Sequence, residues 1–225
     1  MKVTVIIPAY NEETKIAEVI SELKQYPYNV VVVDDCSRDN TGEVLQKIEG
    51  ITVLRHLINR GQGAALRTGT EYALRQGADI IVHFDADGQM MAREIGEMVE
   101  FLLKNNADIV LGSRFLGKAS NVPFLKKLVL KAGIWFTYFF SGIKLTDTHN
   151  GFRVLTRGAA EAIEINQDRM AHASEILDKI VKKKLKWLEY PVTIRYSDYS
   201  KAKGQSPLNA LKIAGMLFLS RLIKK

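Results

Sequence analysis

Two carboxylates two residues apart, Asp85 and Asp87, follow an apolar run (Ile80, Ile81, Val82, Phe84), with Gly88 and Gln89 directly behind them. On extended backbone just past a buried strand, such a pair cannot satisfy itself in a core. A bare buried carboxylate costs several kcal/mol in desolvation. Oxygen ligands at the C-terminal end of a strand suit a hard divalent ion that also holds substrate phosphates. Taken alone, D-x-D also reads as a polar turn capping the next helix. What else the chain places beside it decides between the two.

Five other clusters carry chemistry of the same kind. Pro8-Ala9-Tyr10-Asn11-Glu12 closes a first apolar run. Pro8 halts a strand ladder, Tyr10 offers a flat ring to stack on a base, Glu12 can accept from a ribose or base donor, and Asn11 can cap the following helix. Asp34-Asp35 ends a valine run; an acid there can accept a base N–H, which selects a pyrimidine or guanine over adenine. Asn59-Arg60-Gly61-Gln62-Gly63 opens a helix, whose N-terminus favours a phosphate or a base carbonyl. This G-x-G lacks the P-loop lysine and the third glycine of a dinucleotide fingerprint. Gly112-Ser113-Arg114 and Asp147-Thr148-His149-Asn150-Gly151-Phe152-Arg153 supply arginines, the preferred partners of phosphate oxygens. His149 reads as a hydrogen-bonded structural histidine before a metal ligand, and Glu175 as stabilising the first turn of a helix.

The elements that must position these groups alternate. Residues 2–8, 29–34, 51–55, 79–84 and 108–111 read as strands. Residues 12–25, 41–48, 63–76 and 92–103 read as helices, the first from the spacing of Ile16, Val19, Ile20 and Leu23. Such alternation predicts an α/β protein with a mostly parallel sheet, on which ligands bind outside the carboxyl ends of the strands. Tyr10-Asn11-Glu12, Asp34-Asp35 and Asp85-x-Asp87 fall at those ends.

A chain of 225 residues, 47% hydrophobic and 25% charged, can bury a full domain core. Its single cysteine, Cys36, excludes an internal disulfide framework and fits a reducing compartment. The first apolar run stops at Pro8, too short for a signal peptide. Net charge is +7, and from Lys179 onward twelve Lys or Arg face two acids, Glu189 and Asp198. Aromatics are not interleaved with these bases as a nucleic-acid groove would require, so the expectation is a solvated basic face or an anionic membrane surface. Residues 124–143 are apolar but carry Lys126, Lys127 and Lys131. They make a poor membrane span and read as a core helix or an interfacial one. Residues 207–225 form a second basic amphipathic segment, either a docked terminal helix or a surface anchor.

PAYNE, VVDDCSRDNT, NRGQGAALRTG, DADGQ, GSR and DTHNGFR, in this order and spacing, closely resemble the family 2 glycosyltransferases of GT-A fold. The nearest group is the polyprenyl-phosphate sugar transferases of the dolichol-phosphate mannose synthase type. The resemblance covers about residues 2–200. It implies a Rossmann-like, mostly parallel central sheet flanked by helices over 1–200, with a basic amphipathic helix over 201–225. It also implies that Pro8, Tyr10, Glu12 and Asp35 contact the nucleoside and that Asp85 and Ala86 lie along the sugar nucleotide. Asp87 and Gln89 would hold Mg²⁺ or Mn²⁺ on the diphosphate, and Arg114 would lie near the diphosphate and acceptor phosphate. Arg153, Arg195, Ser200 and Lys201 are the expected acceptor-phosphate contacts, the last three in a loop that departs from the family's Arg then Gly-x-Ser-Lys pattern. Processive synthases carry Gln-x-x-Arg-Trp, which this chain lacks, so transfer of one sugar is implied.

The resulting expectation is inverting transfer from a GDP- or UDP-sugar to a polyprenyl or dolichyl phosphate. The enzyme would be a cytoplasmic protein held peripherally at the membrane, alone or with a homo-oligomeric or membrane-protein partner, and without nucleic acid. Two alternatives stay open: transfer to a hydroxyl of a cell-surface glycan, with Asp147 or else Glu175 as base, and a catalytically idle subunit recruited to membrane.

Overall fold

A computed structural model of the chain describes residues 1–116, 143–148 and 150–195. The two amphipathic segments (apart from Ile143), the domain boundary near residue 200, and His149, Ser200 and Lys201 lie outside the described residues.

The elements in chain order are β1 (Val3–Ala9), α1 (Ile16–Leu23), β2 (Asn29–Asp34), α2 (Thr41–Gln46), β3 (Thr52–Arg55), α3 (Gln62–Arg75), β4 (Ile80–His83), α4 (Arg93–Lys104), β5 (Ile109–Ser113), β6 (Arg153–Thr156), α5 (Arg157–Ile163), α6 (His172–Lys182) and β7 (Trp187–Pro191). They form one seven-stranded sheet in the order β3-β2-β1-β4-β6-β5-β7. The valine run of β2 is buried from Val30 onward, as expected for a parallel strand covered on both faces. In α1, Ile16, Val19, Ile20 and Leu23 form the buried stripe that its spacing predicted. The helix begins at Ile16 rather than at residue 12. The Glu12 carbonyl accepts the N–H groups of Lys15 and Ile16 in a turn, while the Glu12 N–H goes to Thr41 Oγ1.

Alternate residues divide the core between two faces. Val5, Ile7, Val32, Val82, Phe84 and Val154 pack with α1 and α4. Ile6, Val31, Val33, Ile81 and Leu155 pack with α3, α5 and α6. Strands β1 to β4 are parallel. Two strands add to the expected topology: β7, which pairs parallel with β5, and β6, which runs antiparallel between β4 and β5 and sets Arg153 directly opposite His83. Among the described residues, no helix is long and apolar enough to cross a membrane.

The N-terminus of α3 is docked onto the segment that leads into α6. Ala64 N–H donates to the Asp168 carbonyl at 2.8 Å, and Arg60 and Arg67 both pair with the Asp168 carboxylate. A Cβ on Gly63 would overlap the Gln167 carbonyl oxygen and stand 2.7 Å from that of Asp168. Backbone on both sides leaves no flexible end to yield. Gly63→Ala is therefore expected to destabilise the fold by roughly 1–3 kcal/mol, read as a lower urea midpoint at unchanged slope.

Candidate active site

The carboxyl ends of β1, β2 and β3 enclose a cleft of about 440 Å³ lined by Tyr10, Cys36, Arg38, Leu57, Ile58, Asn59 and Arg169. Its walls are interlocked. Asn11 Oδ1 accepts the Arg38 N–H at 2.8 Å, and Asn11 N–H donates to Ser37 Oγ at 3.0 Å, so Asn11 ties two loops together rather than capping α1. Asn11 and Cys36 both hold positive φ, at 55° and 61°. Non-glycine residues in this region cluster where surrounding structure fixes a functional loop. Tyr10 is 38% exposed and presents its ring to solvent beside this cleft.

Asp35, expected to face the nucleoside, turns inward. Its carboxylate accepts from Arg60 N–H (2.9 Å), Gly61 N–H (2.6 Å) and His56 Nδ1 (2.7 Å), and the side chain is 4% exposed. Three donors and burial make it the pin of the turn 59–61. The preceding strand explains the direction: Val33 packs on the α3 face, and Asp35, two residues on, points the same way.

Asp85 lies at the end of β4 on that α3 face. Gln62 Nε2 donates to its Oδ1 at 2.9 Å. A Cβ at position 151 would come within 2.7 Å of its Oδ2, so Gly151 is what lets the DTHNGFR segment approach. Burial raises the Asp85 pKa to about 7, and Asp87 and Glu12 add to the rise, against Arg153 and Arg114. All four groups therefore converge on one carboxyl. Ala86 is buried behind it. The next turn closes with Gln89 N–H on Asp87 Oδ1 at 3.0 Å, and Arg195 N–H holds the Gln89 carbonyl at 2.8 Å.

Across from these acids, Arg114 follows β5. Its Nε and backbone N–H both donate to Asp147 Oδ2, at 2.6 and 3.1 Å, and both side chains are largely buried. Asp147 is itself placed by Glu189 of β7, which accepts the N–H groups of Thr146 and Asp147 and the Thr146 hydroxyl.

Two of the residues expected at the acceptor phosphate have partners within the chain. Arg153 is 3% exposed, buried on β6 opposite His83, and opposes the charge of Asp85. Arg195 turns its guanidinium toward Glu22 of α1, 3.4 Å away. Glu175, the second candidate base, is taken up by the N–H groups of Asn166 and Gln167 and by Lys179, which close the turn before α6. Sequence reading missed Gln62, His56, Gly151 and Glu189. Gln62 and Gly151 carried a signal, lying within the NRGQG turn and the DTHNGFR segment.

Hard oxygen donors at Asp87 and Gln89, beside a carboxyl whose charge is opposed by two acidic neighbours, fit a divalent cation. Among the described residues no three His, Cys, Asp or Glu form a closed metal cage. Two protein donors of this kind would suit Mg²⁺, which takes few protein ligands.

Comparison with known families gives a match to the family described as glycosyl transferase family 2 over residues 4–163. The chain belongs to glycosyltransferase family 2. It is 31% identical to the UDP-N-acetylglucosamine–dolichyl-phosphate N-acetylglucosaminyltransferase of Methanococcus voltae, over 97% of this chain and 96% of that protein. It is 33% identical to the dolichol-phosphate mannosyltransferase of Pyrococcus furiosus, over 94% of this chain and 62% of that longer protein. The fold matches mannosyl-3-phosphoglycerate synthase from Rubrobacter xylanophilus with a TM-score of 0.61 at 16% identity, over 95% of this chain and 72% of that one. The sheet of this glycosyltransferase is accordingly of GT-A type.

The buried cation has a consequence for pH. His172 of α6 is pushed down to about 4, first by burial and then by Arg153. Glu175 opposes this, as does the Arg169 carbonyl that accepts its Nδ1–H at 2.7 Å. The unfolded chain takes up this proton near pH 6.5, the folded chain only near 4. Stability present above pH 6.5 is therefore lost as pH falls through that window, by about 3 kcal/mol. Urea midpoints between pH 7 and 4 should decline more shallowly for His172→Asn, which keeps a donor for the carbonyl but does not titrate.

Proposed function

We propose that the protein transfers a single sugar, with inversion, from a GDP- or UDP-sugar to a polyprenyl phosphate at a membrane surface. The observation that carries this reading is the facing of two charge sets across the end of the sheet. Asp85 and Asp87 of one loop lie in the field of Arg114, beside a cleft large enough for a nucleoside. Both named relatives above act on a dolichyl phosphate, which supports a lipid-phosphate acceptor. The basic segments 124–143 and 207–225 would bring the chain to the bilayer reversibly, through anionic headgroups.

In this reading Tyr10, Pro8 and Glu12 line the nucleoside end, with Asp35 fixing the wall, and Asp85 and Ala86 border the sugar. Asp87 and Gln89 would hold Mg²⁺ or Mn²⁺, which when bound supplies Lewis-acid neutralisation of charge on the departing diphosphate. Arg114, aimed by Asp147 and Glu189, meets a phosphate oxygen of donor or acceptor. An acceptor phosphate oxygen forms the new bond to the anomeric carbon, and the bond to the β-phosphate oxygen breaks, its electron pair leaving with the nucleoside diphosphate. The acceptor is already an anion, so no proton need be removed. The double hold of Arg114 on Asp147 Oδ2 favours this over a hydroxyl acceptor, where Asp147 would have to collect a proton.

Incubating the chain with UDP-N-acetylglucosamine, UDP-glucose or GDP-mannose, dolichyl phosphate and Mn²⁺ should give one glycosyl phosphodiester, detected by mass spectrometry. Asp87→Ala should lower turnover by at least about a hundredfold while the fold persists by circular dichroism. Transfer to glycan hydroxyls with none to the lipid phosphate would overturn the acceptor assignment. Asp147→Asn should act through Arg114, raising the KM for lipid phosphate about tenfold, the scale of one weakened charge-assisted hydrogen bond. A general base would instead show mainly as lost kcat.

A further inference from the structure

Leu57 and Ile58 are 96% and 68% exposed on a turn just past the carboxyl end of β3. Met170, 41% exposed, follows Arg169, which lines the same cleft as Leu57 and Ile58. The two loops are clamped together. The Asp168 carboxylate pairs with Arg60 and Arg67, and a Cβ on Gly61 would stand 2.9 Å from Arg169 Cγ. Each loop is also anchored from within: Arg60 and Gly61 N–H donate to Asp35, and Asn166 and Gln167 N–H to Glu175. The apolar tips are therefore held out in water by well-bonded turns. Arg38, Arg60 and Arg169 beside them are exposed, and the sole acid in residues 56–61 and 166–171 is Asp168. Apolar residues scattered singly over a surface need no explanation, but a contiguous patch marks an interaction site.

We propose that Leu57, Ile58 and Met170 form an apolar prong that enters an anionic bilayer, with Arg38, Arg60 and Arg169 on lipid phosphates around it. Apolar tips among guanidinium groups match the layered chemistry of that surface, acyl boundary beneath phosphate. Arginine stems can lie along apolar surroundings while their heads reach the phosphates. A two-fold contact with a second copy would instead bring like guanidinium groups together, whereas anionic lipid neutralises them. Docking through these loops turns the carboxyl ends of the strands toward the bilayer. Asp85, Asp87 and Arg114 stand at those ends, so a lipid phosphate can be met without leaving the membrane. The other exposed basic run, Lys182, Lys183 and Lys184, lies at the opposite end of the sheet, between α6 and the start of β7. Binding through that run alone would turn the site away from the lipid.

The role of the prong rests on the lipid-phosphate acceptor proposed above, but insertion and transfer are measured separately. In full-length chain carrying Cys36→Ser, an environment-sensitive fluorophore is attached through Leu57→Cys or Met170→Cys. Val181→Cys, exposed near the far end of α6, serves as the control. On phosphatidylglycerol vesicles the first two probes should shift to the blue and be quenched by lipids spin-labelled near the carbonyl; the control should do neither. Leu57→Glu combined with Ile58→Glu should lower the vesicle partition coefficient at least about tenfold, the scale of losing two inserted aliphatic side chains. Added salt should weaken binding of the wild type. Probes at 57 and 170 that stay in water on vesicle-bound protein overturn the prong, even where the chain binds through other segments. Probes that become buried only as protein concentration rises assign the patch to a second copy and overturn it as well. The unlabelled wild type is assayed on the same vesicles with dolichyl phosphate and a nucleotide sugar. Insertion without transfer supports the prong and overturns the acceptor reading; transfer without insertion overturns the prong alone.

Discussion

The site depends on keeping a carboxylate cluster at the end of a buried strand, and the rest of the structure is arranged around that constraint. Asp85 stands among Asp87 and Glu12, all of like sign, where burial alone opposes ionisation. Two arginines offset it, and each needs its own support. Arg153 is brought beneath Asp85 only because β6 runs antiparallel between β4 and β5 and pairs with β4 at His83. Burial lowers Arg153 itself to about 10, which leaves it a cation at neutral pH. Its neighbours His83 and His172 are both held neutral, first by burial and then by Arg153. Removing a buried cation from such a set leaves uncompensated charge, a change of several kcal/mol.

The same constraint accounts for the uneven polarity of the two sheet faces. The face under α1 and α4 is closed by aliphatic and aromatic packing, including an edge-on contact of Phe84 with Phe152. The opposite face becomes polar toward the carboxyl ends of the strands: Thr70 hydroxyl on His83, Gln62 on Asp85, His56 bridging Asp35 and Thr68. Helix α3 supplies three of those partners. Its alanines and glycines allow it to lie close on the sheet, where a Cβ at Gly69 would overlap Ile6. Close packing in the middle of the helix and hydrogen bonding at its start are parts of one fit.

Much of this was readable from the residues alone, for identifiable reasons. Continuous valine runs, the 3-4-7 spacing of α1 and the clusters at strand ends report local physics, and each gave its element and its place near the site. What was hidden involves partners distant in sequence. Nothing in Arg153-Val-Leu-Thr announces an antiparallel strand, because a four-residue strand acquires its direction from the strands that flank it. Arginine after a glycine turn looks like a phosphate ligand until the register sets it against His83. Glu189 looked like one of two acids in a basic tail. Its role as the acceptor for residues 146 and 147 exists only once β7 pairs with β5. Asp35 was placed correctly at a strand end, but its hold on the turn was hidden, since the donors that claim it come from 56, 60 and 61.

Charge counting carries the argument one step further. With Asp85 ionised, the innermost set holds four carboxylates (Glu12, Asp85, Asp87 and Asp147) against two guanidinium groups, Arg114 and Arg153, a sum of −2. A diphosphate approaching that set is repelled, and Arg114 is already matched by Asp147 at 2.6 Å. In the proposed function a divalent cation would bring the sum to zero. Asp87 and Gln89 would supply its protein oxygen donors, so cation and diphosphate would each make the other's binding favourable. Coupling of this kind is reciprocal. In the proposed function the same coupling would let a site built around acids serve two anions, the donor diphosphate and the lipid phosphate: the acids would hold the neutralising ion, while the arginines keep the acids in place.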